Sequence, residues 1–512
     1  MTTPIAAPAV APRRRLGWGT AGLLTGCLGL AASVLTSSAM GVRVNPVASV
    51  AEAIIRITPG GLAERAIQAV GKNDKTILVI GVLVFLAGAF WYAGRASRNS
   101  PSRAQVVFLV LAAIGGIAAL TSPSSRPTDV IPVFVGGAVW LGALPWLTQP
   151  LRDEDDPGVV ASRRSFLLRA GAVFGAAAVF GALGQYVGRS RRQVEASRKL
   201  LKLPISLRPP PPKAVLDVEG LQPWRTPNAD FYQIHTAVIV PAVDPKDWSL
   251  RIHGMVEKEL RLSYQDLLGM ELTESWMTLN CVSNPVGGEL VGNAWWSGVR
   301  IADLLAEAGV QAGADAVKQT SQDGWTCGTP LEALTDDRNA MLAFGMNGAP
   351  LPIEHGFPVR MIVPGLYGYV SATKWLVDLE VTRFADFTAY WTDKGWSEQG
   401  PVKLASRIDV PRAGSSVQAG SVTVAGTAWR QHVGVTGVEV SLDGGAWQSV
   451  DLAAVPTSDT WVQWSGEVSA DAGEHELRVR ATDETGDTQT GVLRDVVPDG
   501  ATGWHTIEFS AE

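Results

Sequence analysis

The chain has 512 residues, too many for one hydrophobic core, so it divides into several domains. Its formal net charge of −6 conceals two opposite portions: residues 1–213 carry 24 Lys+Arg against 9 Asp+Glu, a balance of +15, and residues 214–512 carry 19 against 40, a balance of −21. The acidic portion repels phosphates and has no basic stripe with interleaved aromatics, which excludes nucleic acid as a partner. Three cysteines, Cys27, Cys281 and Cys327, with no C-x-x-C pair, exclude a disulfide scaffold and a C-x-x-C-H haem site.

Five apolar stretches precede residue 190, at about 16–41, 76–94, 105–121, 129–148 and 166–188. Each is near the roughly 20 residues that a helix needs to cross ~30 Å of hydrocarbon. Their Gly and Ala content suits close helix packing in lipid. Residues 1–190 are therefore expected to form a membrane domain of about five transmembrane helices. Arg13, Arg14 and Arg15 precede the first stretch, Arg95, Arg98 and Arg103 lie between the second and third, and Arg152, Arg163 and Arg164 lie between the fourth and fifth. The positive-inside rule makes these segments cytoplasmic and everything after about residue 190 extracytoplasmic. The cluster Arg189, Arg191, Arg192, Arg198, Lys199 and Lys202 then lies outside, against the rule. Ser162-Arg163-Arg164-Ser165-Phe166-Leu167, followed by an Ala/Gly-rich run to 188, resembles an internal twin-arginine export signal; a simple positive-inside anchor gives the same topology. None of the six histidines falls in these stretches, so the membrane part is expected to carry no b-type haem.

A Pro-rich linker, 191–213, contains Pro209-Pro210-Pro211-Pro212, a stiff spacer. From 214 to 402 short strands and helices mix with many Gly, Pro and Trp, the pattern of an α+β enzyme domain. Ile301 to Gly309 reads as a short helix with Ala302, Leu304, Leu305 and Ala308 on one side. In Thr278-Leu279-Asn280-Cys281-Val282-Ser283-Asn284-Pro285 an apolar strand end runs into a thiol and then a polar turn with Gly287-Gly288. A thiolate is a soft metal ligand, although a lone Cys is more often a buried hydrophobe. About 75 residues on, His355-Gly356-Phe357-Pro358-Val359-Arg360 leads through a strand centred on 359–363 to a Pro364-Gly365 turn. A second loop then delivers Ser371, Thr373 and Lys374 before Trp375-Leu376. Converging Arg, His, Lys and backbone amides make an anion clamp.

The H-G-F-P-V-R…V-P-G…K-W-L run, with a T-L-x-C-x-x-N cysteine upstream, resembles the molybdopterin domain of sulfite oxidases, assimilatory nitrate reductases and bacterial protein-methionine-sulfoxide reductases. The resemblance implies Cys281 as the catalytic molybdenum ligand. It also implies His355, Arg360, Ser371, Thr373 and Lys374 as contacts to the pterin and its phosphate. Pro227-Asn228-Ala229-Asp230-Phe231-Tyr232-Gln233 is similar to the family's N-x-F-Y segment, implying Asn228, Tyr232 and Gln233, and Thr320 and Asp323 fall near further pterin-contact positions. The chain departs from sulfite oxidases where Gln233, Ile234 and His235 follow that segment in place of a sulfite-binding arginine, and where Trp396 stands for a tyrosine. Pairing of Cys281 with Cys327 in an oxidising exterior would remove the ligand.

Residues 403–512 alternate in short β segments, among them 421–424, 437–442 and 475–483, with a hairpin signal at Asp443-Gly444-Gly445. This pattern predicts an immunoglobulin-like β-sandwich and resembles the dimerisation domain of the family, which implies a homodimer. The expected activity is oxygen-atom transfer on a small S- or N-oxide or oxyanion, with a molybdenum-molybdopterin cofactor and no haem or flavin in the chain. Electrons would pass to a separate partner, a cytochrome or a quinone-linked membrane component. The alternative is a non-catalytic pterin-binding or envelope structural protein.

Overall fold

The computed structural model describes residues 17–42, 45–70, 73–123, 125–153, 162–187 and 190–512. Arg13, Arg14, Arg15 and Arg189 lie outside the described residues, as does Gly188 at the end of the twin-arginine-like segment. Two compact units are present, Met1–Thr58 with Ala66–Ser190, and Pro59–Arg65 with Arg191–Glu512.

The first unit is helical: α1 (Gly17–Ala39), α2 (Pro46–Ile57), part of α3 (Gly60–Val70), α4 (Asp74–Ala96), α5 (Pro101–Leu120), α6 (Ile131–Asp153) and α7 (Ser162–Val187). Among the described residues five helical stretches, Gly17–Ala39, Asp74–Ala96, Pro101–Leu120, Pro127–Arg152 and Arg164–Gly184, are long and apolar enough to cross a membrane. Their inner faces pack through small residues. A Cβ on Gly22 would lie 2.0 Å from the Phe90 carbonyl oxygen and 2.7 Å from the Gly94 nitrogen, so α1 and α4 cross backbone to backbone. Phe90 and Phe108 pack on Trp140 at centroid distances of 5.2 and 5.6 Å, and Trp140 Nε1 donates to the Gly26 carbonyl at 3.1 Å. Large side chains such as Leu83, Phe85, Leu109, Phe134, Leu167 and Phe174 point outward and are exposed. α2 and α3 fall in a stretch where the hydropathy pattern shows no span.

The long segment of the second unit begins at Arg191 within α8 (Ser190–Leu200), so the segment expected to act only as a linker begins with a helix. Val194 is buried against the core, which gives that helix a tertiary partner. A mixed sheet follows, ordered β2-β1-β10-β5-β6, from β1 (Ser249–Gly254), β2 (Leu260–Ser263), β5 (Ala316–Ser321), β6 (Thr326–Pro330) and β10 (Leu376–Thr382). A second sheet runs β3-β4-β7-β8 through β3 (Thr273–Asn280), β4 (Val291–Arg300), β7 (Met341–Met346) and β8 (Ala349–Pro350), with β9 (Arg360–Ile362) also paired to β7. The connections hold α9 (Tyr264–Leu268), α10 (Ile301–Ala308), α11 (Glu332–Thr335) and α12 (Gly368–Ser371). α10 buries Ile301, Leu304, Leu305 and Ala308, with Ala302 only half-buried, and ends at Gly309 in the left-handed region.

β3 and β4 are buried on both faces. Alternation sends Trp276, Trp295 and Val299 to one core and Met277, Leu279, Ala294 and Trp296 to another. The sheet is thus a partition between two apolar layers, and β3 stops at its end, immediately before Cys281.

The C-terminal portion packs two sheets. One is β11 (Ala405–Val410), β13 (Gly420–Trp429), β17 (Val462–Ala470) and β16 (Asp451–Leu452); the other is β12 (Ser416–Val417), β19 (His505–Ala511), β18 (Gly473–Asp483), β14 (Val435–Leu442) and β15 (Gln448–Ser449). Val424, Val438, Val440, Trp464, Leu477, Val479 and Phe509 fill the space between them. Within this unit the sandwich is joined to the α+β part by reciprocal bonds. Trp224 Nε1 donates to the Trp461 carbonyl at 3.2 Å, and Trp461 Nε1 donates to the Trp224 carbonyl at 2.9 Å.

Candidate functional site

Cys281 is presented by a turn closed through its own backbone: its N–H donates to the Leu290 carbonyl at 2.9 Å, and the Asn284 N–H donates to the Cys281 carbonyl at 3.1 Å. Asn284 Oδ1 accepts from the Leu290 N–H at 2.8 Å, bracing the turn from inside. Cys281 is 9 % exposed, and neither it nor Cys327 is in a disulfide. Cys327 lies wholly buried beneath the 371–374 loop, its sulfur 3.2 Å from Thr373 Oγ1, and burial pushes its thiol up to about 12. A thiol held protonated is a poor metal ligand.

The clamp is assembled by two stretches running side by side. The Met361 N–H donates to the Thr373 carbonyl at 2.9 Å, and the Leu376 N–H donates to the Val359 carbonyl at 3.0 Å. Gly356, at φ +110°, permits their approach, since a Cβ there would meet Arg360 Cβ and Lys374 Cα at 3.0 and 3.1 Å. Arg360 is 4 % exposed, with Nη1 donating to the His355 carbonyl at 3.1 Å and Nη2 to the Ala372 carbonyl at 3.3 Å, over the Trp296 ring at 5.3 Å. Its Nε has no hydrogen-bond partner among the described residues. Burial lowers its pKa to about 10, which leaves it cationic at neutral pH.

His355 is buried with Nε2 3.1 Å from the Asn228 carbonyl oxygen, and Nδ1 has no partner among the described residues. Burial, then Lys374 and Arg360, hold its pKa down to about 3. A carbonyl only accepts, so the neutral ring carries its proton on Nε2 and offers Nδ1 as an acceptor. Lys374 Nζ donates to the Glu354 carbonyl at 2.9 Å, beside His355.

The remaining sequence-derived positions divide. Tyr232 stacks on Phe231 at 5.2 Å and feels both Cys281 and Arg360; burial, foremost, raises its pKa. Asn228 reaches the site through its backbone carbonyl, because its side chain is committed to Met346 and Asn347. Ser371 turns its hydroxyl onto the Leu366 and Tyr367 carbonyls, and Thr373 faces Cys327. Asp323 is buried in the turn after β5, where the Gln322 N–H donates to the Trp375 carbonyl at 2.8 Å, next to Lys374. Thr320 lies on β5 opposite Asp378 and Thr326, and Gln233 is exposed. Trp396 is buried against Tyr369 and Trp391 at 5.9 and 6.3 Å, its Nε1 without a partner. His235 faces the Ala237 carbonyl of its own loop.

Residues that sequence reasoning missed come from the sandwich. Arg407 donates to the Gly288 carbonyl at 3.0 Å and to Asp409 at 2.7 Å, and also bonds Gln222. His505 accepts the Ile408 N–H on Nδ1 at 3.0 Å and lays its ring on Gly287. Burial, foremost, holds His505 down to about 4. Both brace the turn after Cys281 from more than 100 positions away in the chain, and no local motif marks them. The paired glycines 287 and 288 were the one available signal that something approaches closely there.

A family model for the oxidoreductase molybdopterin binding domain matches residues 236–391, and one for a bacterial Ig domain matches residues 406–479. The chain is 32 % identical over 178 residues to the uncharacterized oxidoreductase YuiH of Bacillus subtilis (strain 168), covering 35 % of this chain and 86 % of that protein. It is 30 % identical over 338 residues to the sulfite oxidase of Gallus gallus, covering 55 % and 72 %. It is 29 % identical over 355 residues to the mitochondrial sulfite oxidase of Macaca fascicularis, covering 58 % of this chain and 63 % of that one, so it spans a little under two thirds of the mammalian relative. The chain belongs to the sulfite oxidase family of molybdopterin-binding oxidoreductases, whose cofactor is molybdenum-molybdopterin.

Proposed function

We propose that the chain is a membrane-anchored, extracytoplasmic enzyme that transfers an oxygen atom to or from a small S- or N-oxide or oxyanion, with Cys281 as the molybdenum ligand. The observation that carries this reading is the pair of buried, unpartnered nitrogens, His355 Nδ1 and Arg360 Nε, beside Lys374. Leaving a buried polar atom unmatched costs about 1–3 kcal/mol, so two in one place imply a ligand that completes them. When bound, molybdenum-molybdopterin supplies the two-electron oxygen-atom chemistry. Arg360 and Lys374 would bind the phosphate, and neutral His355 would accept an N–H of the pterin on Nδ1.

The sequence offers Trp396 where sulfite oxidases place a tyrosine, and Gln233, Ile234 and His235 stand where that family has its arginine, which favours a neutral S- or N-oxide over sulfite. The five apolar helices support the anchor, and the cation pattern supports an outward-facing catalytic part. Electrons then pass to a separate cytochrome or quinone-linked component, and the sandwich offers a homodimer face. The test is metal analysis and electron paramagnetic resonance on the purified full-length protein and on Cys281→Ser, followed by turnover of sulfite, nitrate, sulfoxides and N-oxides. Wild type is expected to carry molybdenum and Cys281→Ser to lose its thiolate signature and at least 99 % of turnover, about 3 kcal/mol of lost transition-state stabilisation. Folded wild-type protein without molybdenum from a molybdenum-replete host would sink the proposal.

A further inference from the structure

The basic run that follows the last apolar helix conflicts with the positive-inside pattern, and two of its side chains, Arg191 and Arg198, bond the catalytic part. α8 places Arg191, Val194 and Arg198 on one face. Val194 is 3 % exposed, in a core shared with Met346, Leu351, Ile353 and Phe357. Arg191 forms an ion pair with Glu354. Arg198 donates to the Pro350 carbonyl at 3.1 Å while forking onto Glu195 at 2.9 and 2.7 Å. These contacts seize one side of the turn at 350–355. Its other side is held by the clamp loop: Lys374 Nζ donates to the Glu354 carbonyl at 2.9 Å and Trp375 Nε1 to the Ile353 carbonyl at 2.8 Å, and the turn ends in His355.

We propose that α8 is a strut for the cofactor clamp, with Arg191 and Val194 as positioning residues that hold the turn carrying His355 and fixing Lys374. The inference rests on the reading of His355 and Lys374 as cofactor contacts. α8 begins three positions after α7 ends. Arg191 and Arg198 thereby have a function unrelated to topology.

The experiment uses the full chain, cofactor-loaded, in detergent micelles, and follows pterin released and molybdenum retained across repeated desalting. Arg191→Glu and Glu354→Arg are each expected to release pterin about threefold to tenfold faster than wild type, the range that reversing a half-exposed ion pair supports. The double exchange and Arg191→Lys are expected to return to within about twofold, because the bond from Lys374 uses the backbone of residue 354 and survives the swap. Val194→Ala, which touches no charge, is expected to speed release with an unchanged tryptophan spectrum. Single variants that release at the wild-type rate, or a double exchange as fast as the singles, overturn the strut and leave the clamp standing. Wild-type protein that carries no pterin takes down the clamp and the strut together.

Discussion

Burial sets the protonation of the ionisable groups around Cys281. Arg360 stays cationic, His355 is held neutral and Cys327 is held as a thiol. These three states were not legible in the sequence, where His, Arg and Cys carry their ordinary values; they depend on which atoms surround them. His505 provides the pH prediction. Its folded value of about 4 lies below the ordinary 6.5, so the unfolded chain binds its proton first, and stability is full above pH 6.5 and lost as pH falls toward 4. The loss approaches about 1.4 kcal/mol per unit of pH across that window. His505→Asn keeps an acceptor for the Ile408 N–H and removes the titration. Thermal unfolding in detergent between pH 7 and pH 4 is expected to show a flatter profile for the variant; parallel profiles would show that His505 is not the group responsible.

At the scale of elements, the turn between β3 and β4 is the joint on which the site depends. Its sequence announced a thiol at the end of a strand followed by a glycine-rich turn, but the partner that presses on the glycines is not readable there. A Cβ at Gly287 would fall 2.1 Å from His505 Cδ2, at a backbone φ of +75° that L side chains rarely adopt. Gly287→Ala is therefore expected to cost about 1–3 kcal/mol in denaturant unfolding, through strain and overpacking. It is also expected to lower molybdenum occupancy, because the displaced turn begins at Cys281. Full stability in that variant would mean that the turn yields without cost. The residues brought together here illustrate the limit of spacing arguments. His355, Arg360 and Lys374 share two adjacent stretches and could be grouped from sequence, whereas Asn228 enters by its carbonyl and Ser371 turns away to its own helix.

For the molecule as a whole, the C-terminal sandwich is structural support for the catalytic part as well as a candidate dimer face. Trp461 is wholly buried in the same core as Trp224 and Trp276, and its N–H donates to Thr278 Oγ1 at 2.8 Å. Arg407 and His505 add contacts to the Cys281 turn. Deleting 403–512 uncovers this surface, and the truncated chain is expected to be recovered aggregated and without cofactor, as judged by size-exclusion chromatography and pterin content. A soluble, pterin-loaded 1–402 would show that the catalytic part holds together without the sandwich. Much of the architecture follows from composition alone: runs of apolar residues near the length of a bilayer, period-two alternation and turn residues are local properties, and local physics reads them. The cysteine and the His-Arg-Lys run likewise stand in the sequence as chemistry. What only the tertiary structure decided is which nitrogen of His355 is left open, which cysteine is buried as a thiol, and that α8 and a distant sandwich brace the site. Those outcomes are set by desolvation and by contacts across long stretches of chain, and neither is encoded in any short window of residues.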